Sequence, residues 1–205
     1  MVLAKQALSV HALSGERLTL GIGLGGREDD FEFAGLPVGN RGEELDAMLA
    51  RMVEAWADGK MGPGTDSPPR LIVGGSVEAS FARAAKFGDG WIAGGAPPEQ
   101  FAEMATQARA AWSAAGRDSE PRLMCLAYFA LGDGAEEIAN AYLTDYYAWL
   151  GEEIAGYIAG SAAKDAETVK EYLAAFESVG CDELILCPSS SDPAQVELLA
   201  DAAGI

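Results

Sequence analysis

The sequence predicts an α/β fold in which a parallel β-sheet is covered by helices. Two observations point there. Short apolar runs such as Leu71-Ile72-Val73 and Leu184-Ile185-Leu186 are continuous rather than alternating, as in strands buried on both faces. Segments with helical periodicity separate these runs, so strand and helix take turns along the chain.

The elements follow in order. Residues 1–13 read as a helix with no preceding element, and Ser14-Gly15-Glu16 ends it. Residues 17–24 read as a strand running into glycines. A polar, acidic loop over 25–40 leads to a helix at about 41–58. The Gly/Pro-rich piece 59–69 is a connector rather than a domain boundary, because strong hydrophobic pattern resumes on both sides. Pro68-Pro69 then opens the clearest unit: a strand to Gly74, a Gly-Gly-Ser turn, a helix to about Gly88 and a second strand at 90–93. Strand, glycine turn, helix, strand is a βαβ unit. Beyond it come a helix at 98–115, a strand at 122–131, a helix at 135–150 with a continuation to 159, and a helix at 166–179. A strand at 182–188 and a helix at 192–202 close the chain, and no internal repeat is present. Roughly five strand–helix units result, too few for a complete (β/α)8 TIM barrel of about 250 residues. The chain also opens on a helix, as though such a barrel were entered partway round. The expected fold is therefore an incomplete barrel holding roughly the last five units, read as a single domain over 1–205.

Composition narrows the function. The chain is 49% hydrophobic and 22% charged, the profile of a globular protein. A net charge of −18 leaves no basic stripe for nucleic-acid phosphates and opposes an anionic membrane surface. No apolar run approaches the roughly 20 residues that span a bilayer, and the N-terminus lacks a signal-peptide layout. Cys125, Cys181 and Cys187 form no CxxC pair and read as small core hydrophobes in a reducing compartment. A cytoplasmic location is expected.

Several residues carry candidate chemistry. Gly74 and Gly75 let backbone approach a ligand, and Ser76 with the first helix N–H groups points at the end of the preceding strand, a geometry that binds phosphate. The same residues also read as an ordinary turn with Ser76 as an N-cap. His11 is the only histidine and reads as exposed or helix-terminal. Glu28-Asp29-Asp30 has no His or Cys partner and reads as solvated acid, so no metal site is expected. Tyr142, Tyr146, Tyr147 and Trp149 lie at roughly helical spacing and read as a packing or subunit face.

Four blocks carry a resemblance. Ala4-Lys5-Gln6-Ala7-Leu8-Ser9-Val10 through Leu13-Ser14-Gly15, then Arg17-Leu18 and Gly21-Ile22-Gly23, form the first. Phe31-Glu32-Phe33-Ala34-Gly35 is the second. Leu71-Ile72-Val73-Gly74-Gly75-Ser76 with Ala84-Ala85-Lys86-Phe87-Gly88-Asp89-Gly90-Trp91 is the third. Gly180-Cys181-Asp182-Glu183-Leu184-Ile185-Leu186 with Asp192-Pro193 is the fourth. Together and in this order they resemble the luciferase-like monooxygenases, TIM-barrel oxidoreductases that depend on a flavin or deazaflavin. His11 stands where that family usually shows Asp, and Glu16 where it usually has a second Gly. The resemblance implies that the family's first three strand–helix units are missing, an N-terminal truncation that puts catalysis in question. It also implies a cofactor phosphate, of FMN or a deazaflavin, held by Gly74, Gly75 and Ser76, with Gly23, Gly25, Gly26 and Arg27 as neighbours. Arg27 reads equally as a surface arginine among acids. The reaction implied is flavin-dependent oxidation or monooxygenation of a small organic substrate, with no catalytic base assigned. The alternative is a non-catalytic flavin-binding or oligomeric remnant of the family. An open sheet implies a homodimer or higher homo-oligomer.

Overall fold

Ala4, Ala7, Leu8 and His11 fall on one helical face, and they are the buried face of α1 (Val2–Leu13). That face meets the helix that carries Trp56, whose indole N–H donates to the Ala4 carbonyl at 3.1 Å. The computed structural model describes residues 1–205 and divides into two units, Met1–Ile92 with Gln107–Arg122, and Ala93–Thr106 with Leu123–Ile205.

In the first unit, α1 leads through a turn into β1 (Thr19–Ile22). The segment expected as a plain loop contains a short helix, α2 (Glu28–Phe33), whose first turn is Glu28, Asp29 and Asp30. Acids there face the positive end of the helix dipole, which favours the turn they sit in. Helix α3 (Arg41–Ala57) buries Leu45, Leu49 and Met52, spaced four and three apart. Leu45 and Leu49 pack with Leu71 in one core cluster that Leu20, Ile22, Leu24, Trp56 and Phe87 border. Complete burial of a side chain like Leu49 contributes about 1.5–3 kcal/mol.

Strand β2 (Arg70–Gly74) pairs parallel with β1, in register Thr19↔Arg70 to Ile22↔Val73. Helix α4 (Glu78–Phe87) then returns the chain to β3 (Gly90–Ala93), which pairs parallel with β2. The βαβ expectation is met, with the predicted limits of both strands. Arg83, nearly fully buried on α4, forms an ion pair with Asp46 of α3 and donates to the Gly42 carbonyl at 3.2 Å. Helix α5 (Pro98–Ala114) follows and runs through both units.

In the second unit, β4 (Arg122–Phe129) and β5 (Glu183–Pro188) pair parallel from Met124↔Glu183 to Phe129↔Pro188. Between them lie α6 (Ala135–Tyr146), a single 3₁₀ turn at Ala148–Leu150, α7 (Glu152–Gly160) and α8 (Ala166–Ser178). Gly151, at φ +91°, breaks what the sequence reads as one helix with a continuation. Asp165 caps α8, accepting from the Thr168 amide at 2.8 Å. Helix α9 (Ala194–Ala203) closes the unit, and its buried Gln195 donates to the Leu131 carbonyl at 2.8 Å and accepts from the Leu131 amide at 2.9 Å. Five strands with parallel neighbours in each unit, joined by helices, make an α/β fold consistent with an incomplete barrel.

Candidate functional site

Each parallel strand ends at the same edge of its sheet, and the glycines singled out in the sequence collect at that edge in the first unit. Ile22 and Val73 are register partners, so Gly23 and Gly74 leave adjacent strands side by side. A Cβ on Gly23 would enter open space, whereas one on Gly74 would lie 3.4 Å from Ile92 Cγ2. The space beside Gly23 is thus open, whereas Gly74, the last residue of β2, is packed on β3.

Gly75 is at φ +142°, and a Cβ there would lie 2.6 Å from the Ser80 Cβ and 2.8 Å from its Oγ. Glycine is therefore required by the approach of the turn to helix α4. The N-cap of α4 is Val77 rather than Ser76. Ser80 closes the first turn instead: its hydroxyl accepts from the Val77 amide at 3.1 Å and donates to the Val77 carbonyl at 2.5 Å. That leaves Ser76 exposed, with its hydroxyl and its amide making no hydrogen bond within the chain. The amides of Glu78 and Ala79 at the start of α4 are likewise without acceptors.

Two residues that sequence reasoning quoted only within a block, with no role of their own, hold the two ends of β2. The Trp91 indole N–H donates to the Gly75 carbonyl at 2.7 Å, and the fully buried ring packs on Phe81 at 5.5 Å between centroids. Asp89 accepts from the Leu71 amide at 2.8 Å and donates its own amide to the Leu71 carbonyl at 2.7 Å, which fixes β3 against the start of β2. The signal available for both was the Gly88-Asp89-Gly90-Trp91 run.

The remaining candidates are placed differently. Gly25, at φ +72°, faces the Phe31 ring, and Arg27 is the N-cap residue of α2. The Arg27 guanidinium donates through two nitrogens to the Asp29 carboxylate. Hydrogen bonding from Arg27 holds the Asp29 carboxyl below its usual range. Its charge is therefore already engaged locally. His11 is helix-terminal but buried, not exposed: it is 2% accessible, neither ring nitrogen has a hydrogen-bond partner, and Glu16 Oε2 lies 4.0 Å from Nε2. The exposure expected of it is overturned by the packing of α1, whose inner face it completes. Glu16 adopts φ +61° at the position where a glycine was the usual residue. Its carboxylate accepts from the Asp66 amide at 2.7 Å and from the Ser67 amide and hydroxyl at 3.2 and 3.0 Å, tying down the Gly/Pro-rich connector.

In the second unit, Tyr128 on β4 and Tyr147 share a hydroxyl–hydroxyl hydrogen bond of 2.7 Å. Burial raises both phenols above their usual range. Tyr147 packs on a core cluster around Leu143, whereas Tyr142, Tyr146 and Trp149 stand out to solvent. Cys125 is fully buried, and burial pushes its thiol up to about 12. No helix is long and apolar enough to cross a membrane.

Comparison with known proteins fits this architecture. A solved F420-dependent secondary alcohol dehydrogenase, in complex with an F420-acetone adduct, superposes with TM-score 0.81 at 16% identity, covering 98% of this chain and 74% of that one. An EDTA monooxygenase (EmoA) from Chelativorans sp. BNC1 superposes with TM-score 0.71 at 16% identity, covering 98% and 68%. At these identities the likeness is one of fold. Among curated sequences, the uncharacterized protein Rv0940c of Mycobacterium tuberculosis is 30% identical over 161 residues, 70% of this chain, and the match spans 55% of its length. The uncharacterized protein Rv0953c of the same organism is 29% identical over 185 residues, 80% of this chain and 65% of its length. The sequence model of one family, described as luciferase-like monooxygenase, matches residues 1–196. The chain belongs to the luciferase-like monooxygenase family.

Proposed function

We propose that this chain is a flavin-type oxidoreductase domain that seats the phosphate of FMN or of a deazaflavin on the turn Gly74-Gly75-Ser76. One observation carries the reading. The Ser76 hydroxyl and the amides of Ser76, Glu78 and Ala79 have no partner in the chain, at a turn whose glycine is compulsory and whose Gly75 carbonyl is drawn away by Trp91. Donors at a helix start with a carbonyl turned aside suit a multiply charged anion. Gly23 leaves open space at the adjacent strand end. The cofactor supplies the redox chemistry when bound, and the chain positions it. Membership in the family, and neighbours that use F420 or act as monooxygenases, support a flavin-type cofactor and a small organic substrate.

A second reading, a flavin-binding protein without turnover, is favoured by a different observation. The one histidine is buried out of reach of a substrate, and burial raises the Tyr128 and Tyr147 phenols, so neither phenol is poised to give up a proton near neutral pH. Titrations with FMN, F420 and riboflavin, followed by flavin fluorescence and then by cofactor reduction, test both. The phosphorylated cofactors should bind at least tenfold tighter than riboflavin. Ser76→Ala should weaken them by about 1.5–3 kcal/mol, the cost of one hydrogen bond to a charged group. Equal affinity for riboflavin and FMN would remove the phosphate site; tight binding without reduction by any donor would leave the second reading.

A further inference from the structure

The first unit has a pocket of about 540 Å³ between the segment after β1 and helix α3. Leu24, Phe31, Leu36 and Met48 give it an apolar lining, and Arg41 and Arg51 stand on its α3 side. Arg41, Met48 and Arg51 are seven and three residues apart, so they share one face of α3. Ten residues of helix separate the two arginines along the axis by about 15 Å, somewhat more than an extended ten-carbon chain spans.

The charges are the unusual part. The chain has 32 acidic and 14 basic residues, yet neither arginine has a carboxylate partner. Arg41 instead lies over the Phe31 ring, 5.8 Å from guanidinium to centroid, and Arg51 makes no hydrogen bond or ion pair. The sole acidic lining residue, Glu44, accepts from the Asn40 amide nitrogen at 3.3 Å. The lining therefore carries a net positive charge on a protein of net −18. With charges screened over about 8 Å at physiological salt, this local sign governs what enters. An arginine held on an aromatic face keeps its planar fork set for a carboxylate.

We propose that this pocket binds an elongated apolar carboxylate, with its head on the Arg41 guanidinium and its chain along Leu24, Leu36 and Met48 towards Arg51. The inference rests on the pocket itself and does not require the cofactor reading. Calorimetric titration of the whole chain with decanoate tests it, with decan-1-ol as the uncharged probe of equal length. Decanoate should bind with one-to-one stoichiometry, at least tenfold tighter than decan-1-ol. Arg41→Gln should remove that advantage while leaving decan-1-ol binding, the melting temperature and FMN affinity unchanged. Arg41→Lys should restore part of it, and Arg51→Gln should lower decanoate affinity by a smaller factor. Equal affinity for the acid and the alcohol, no binding of decanoate at millimolar concentration, or an Arg41→Gln variant that binds decanoate like the parent would each overturn the proposal.

Discussion

At Gly75 the backbone itself sets the requirement: φ is +142° and the missing Cβ would overlap Ser80. Gly75→Ala should therefore cost about 1–3 kcal/mol through the backbone alone, before any contact is counted. Thermal unfolding should show the loss without ligand present, and FMN affinity should fall with it. Gly23→Ala is the contrast, because open space surrounds that position. Its melting temperature should stay close to the parent's, and a drop as large as that of Gly75→Ala would show that strand-end packing is tighter than described. His11 makes the opposite case. Two ring nitrogens without partners in a site 2% accessible oppose folding by about 1–3 kcal/mol relative to a paired group. His11→Leu should melt at or above the parent temperature, whereas a fall of several degrees would mean that the imidazole has a structural partner. The sequence reading named the glycines at 74 and 75 for a ligand's sake. The structure adds that Gly75 first serves the helix packed on it, a demand invisible until Ser80 is known to fold back onto Val77.

Elements show a device used twice. Asp89, just before β3, accepts from the Leu71 amide and returns its own amide to the Leu71 carbonyl; Asp182, just before β5, does the same with Leu123 at 2.7 and 2.8 Å. Each aspartate joins the start of one parallel strand to the start of its neighbour, where the ladder would otherwise leave Leu71 or Leu123 with an unmet amide. Asp89→Ala and Asp182→Ala should each lower the urea midpoint by about 1–3 kcal/mol worth of stability at constant slope. A midpoint unchanged in both variants would reduce the motif to a surface turn. Strand and helix limits were largely legible because continuous Val, Ile and Leu runs and glycine turns bound them: β2 and β3 fall on the expected residues. Helix α2 was not legible, since Glu28-Asp29-Asp30 reads as solvated acid until Arg27 and the helix dipole gather it. The break between α6 and α7 hides in an aromatic stretch whose one warning is Gly151. Trp91 and Asp89 were visible as a motif, but their work depends on partners 16 and 18 residues away, which periodicity does not reveal.

For the whole molecule, acid and surface set the limits. Hydrogen bonds from Asp66 and Ser67 lower the carboxyl of Glu16, and bonding from Thr168 lowers that of Asp165. A folded-state value held below the unfolded one adds stability that is present above the ordinary carboxylate range and lost as pH falls through the folded value. Melting temperature should therefore decline below about pH 4.5, and Glu16→Gln should flatten part of that decline; a parent curve level to pH 3 would contradict it. The surface argues for association. In the first unit, β1 pairs with β2 alone, and α1 turns Val2, Leu3, Val10 and Leu13 to solvent, Leu13 at 89% exposure. In the second unit, Tyr142, Tyr146, Trp149, Ile154 and Tyr157 stand out from α6, the 3₁₀ turn and α7, with Tyr142 and Tyr146 stacked at 5.9 Å. Unpaired strand edges are templates for pairing, and each exposed Å² of apolar surface forgoes about 25 cal/mol of burial. A net charge of −18 opposes indiscriminate clumping, so a defined homodimer is the expected outcome. Sedimentation at micromolar concentration should show a species of twice the 21.4 kDa chain mass. Leu13→Glu or Tyr146→Glu should shift it towards the monomer, according to which face makes the contact, with little change in far-ultraviolet circular dichroism. A single parent species of 21.4 kDa at every concentration would show that both faces tolerate water unaided.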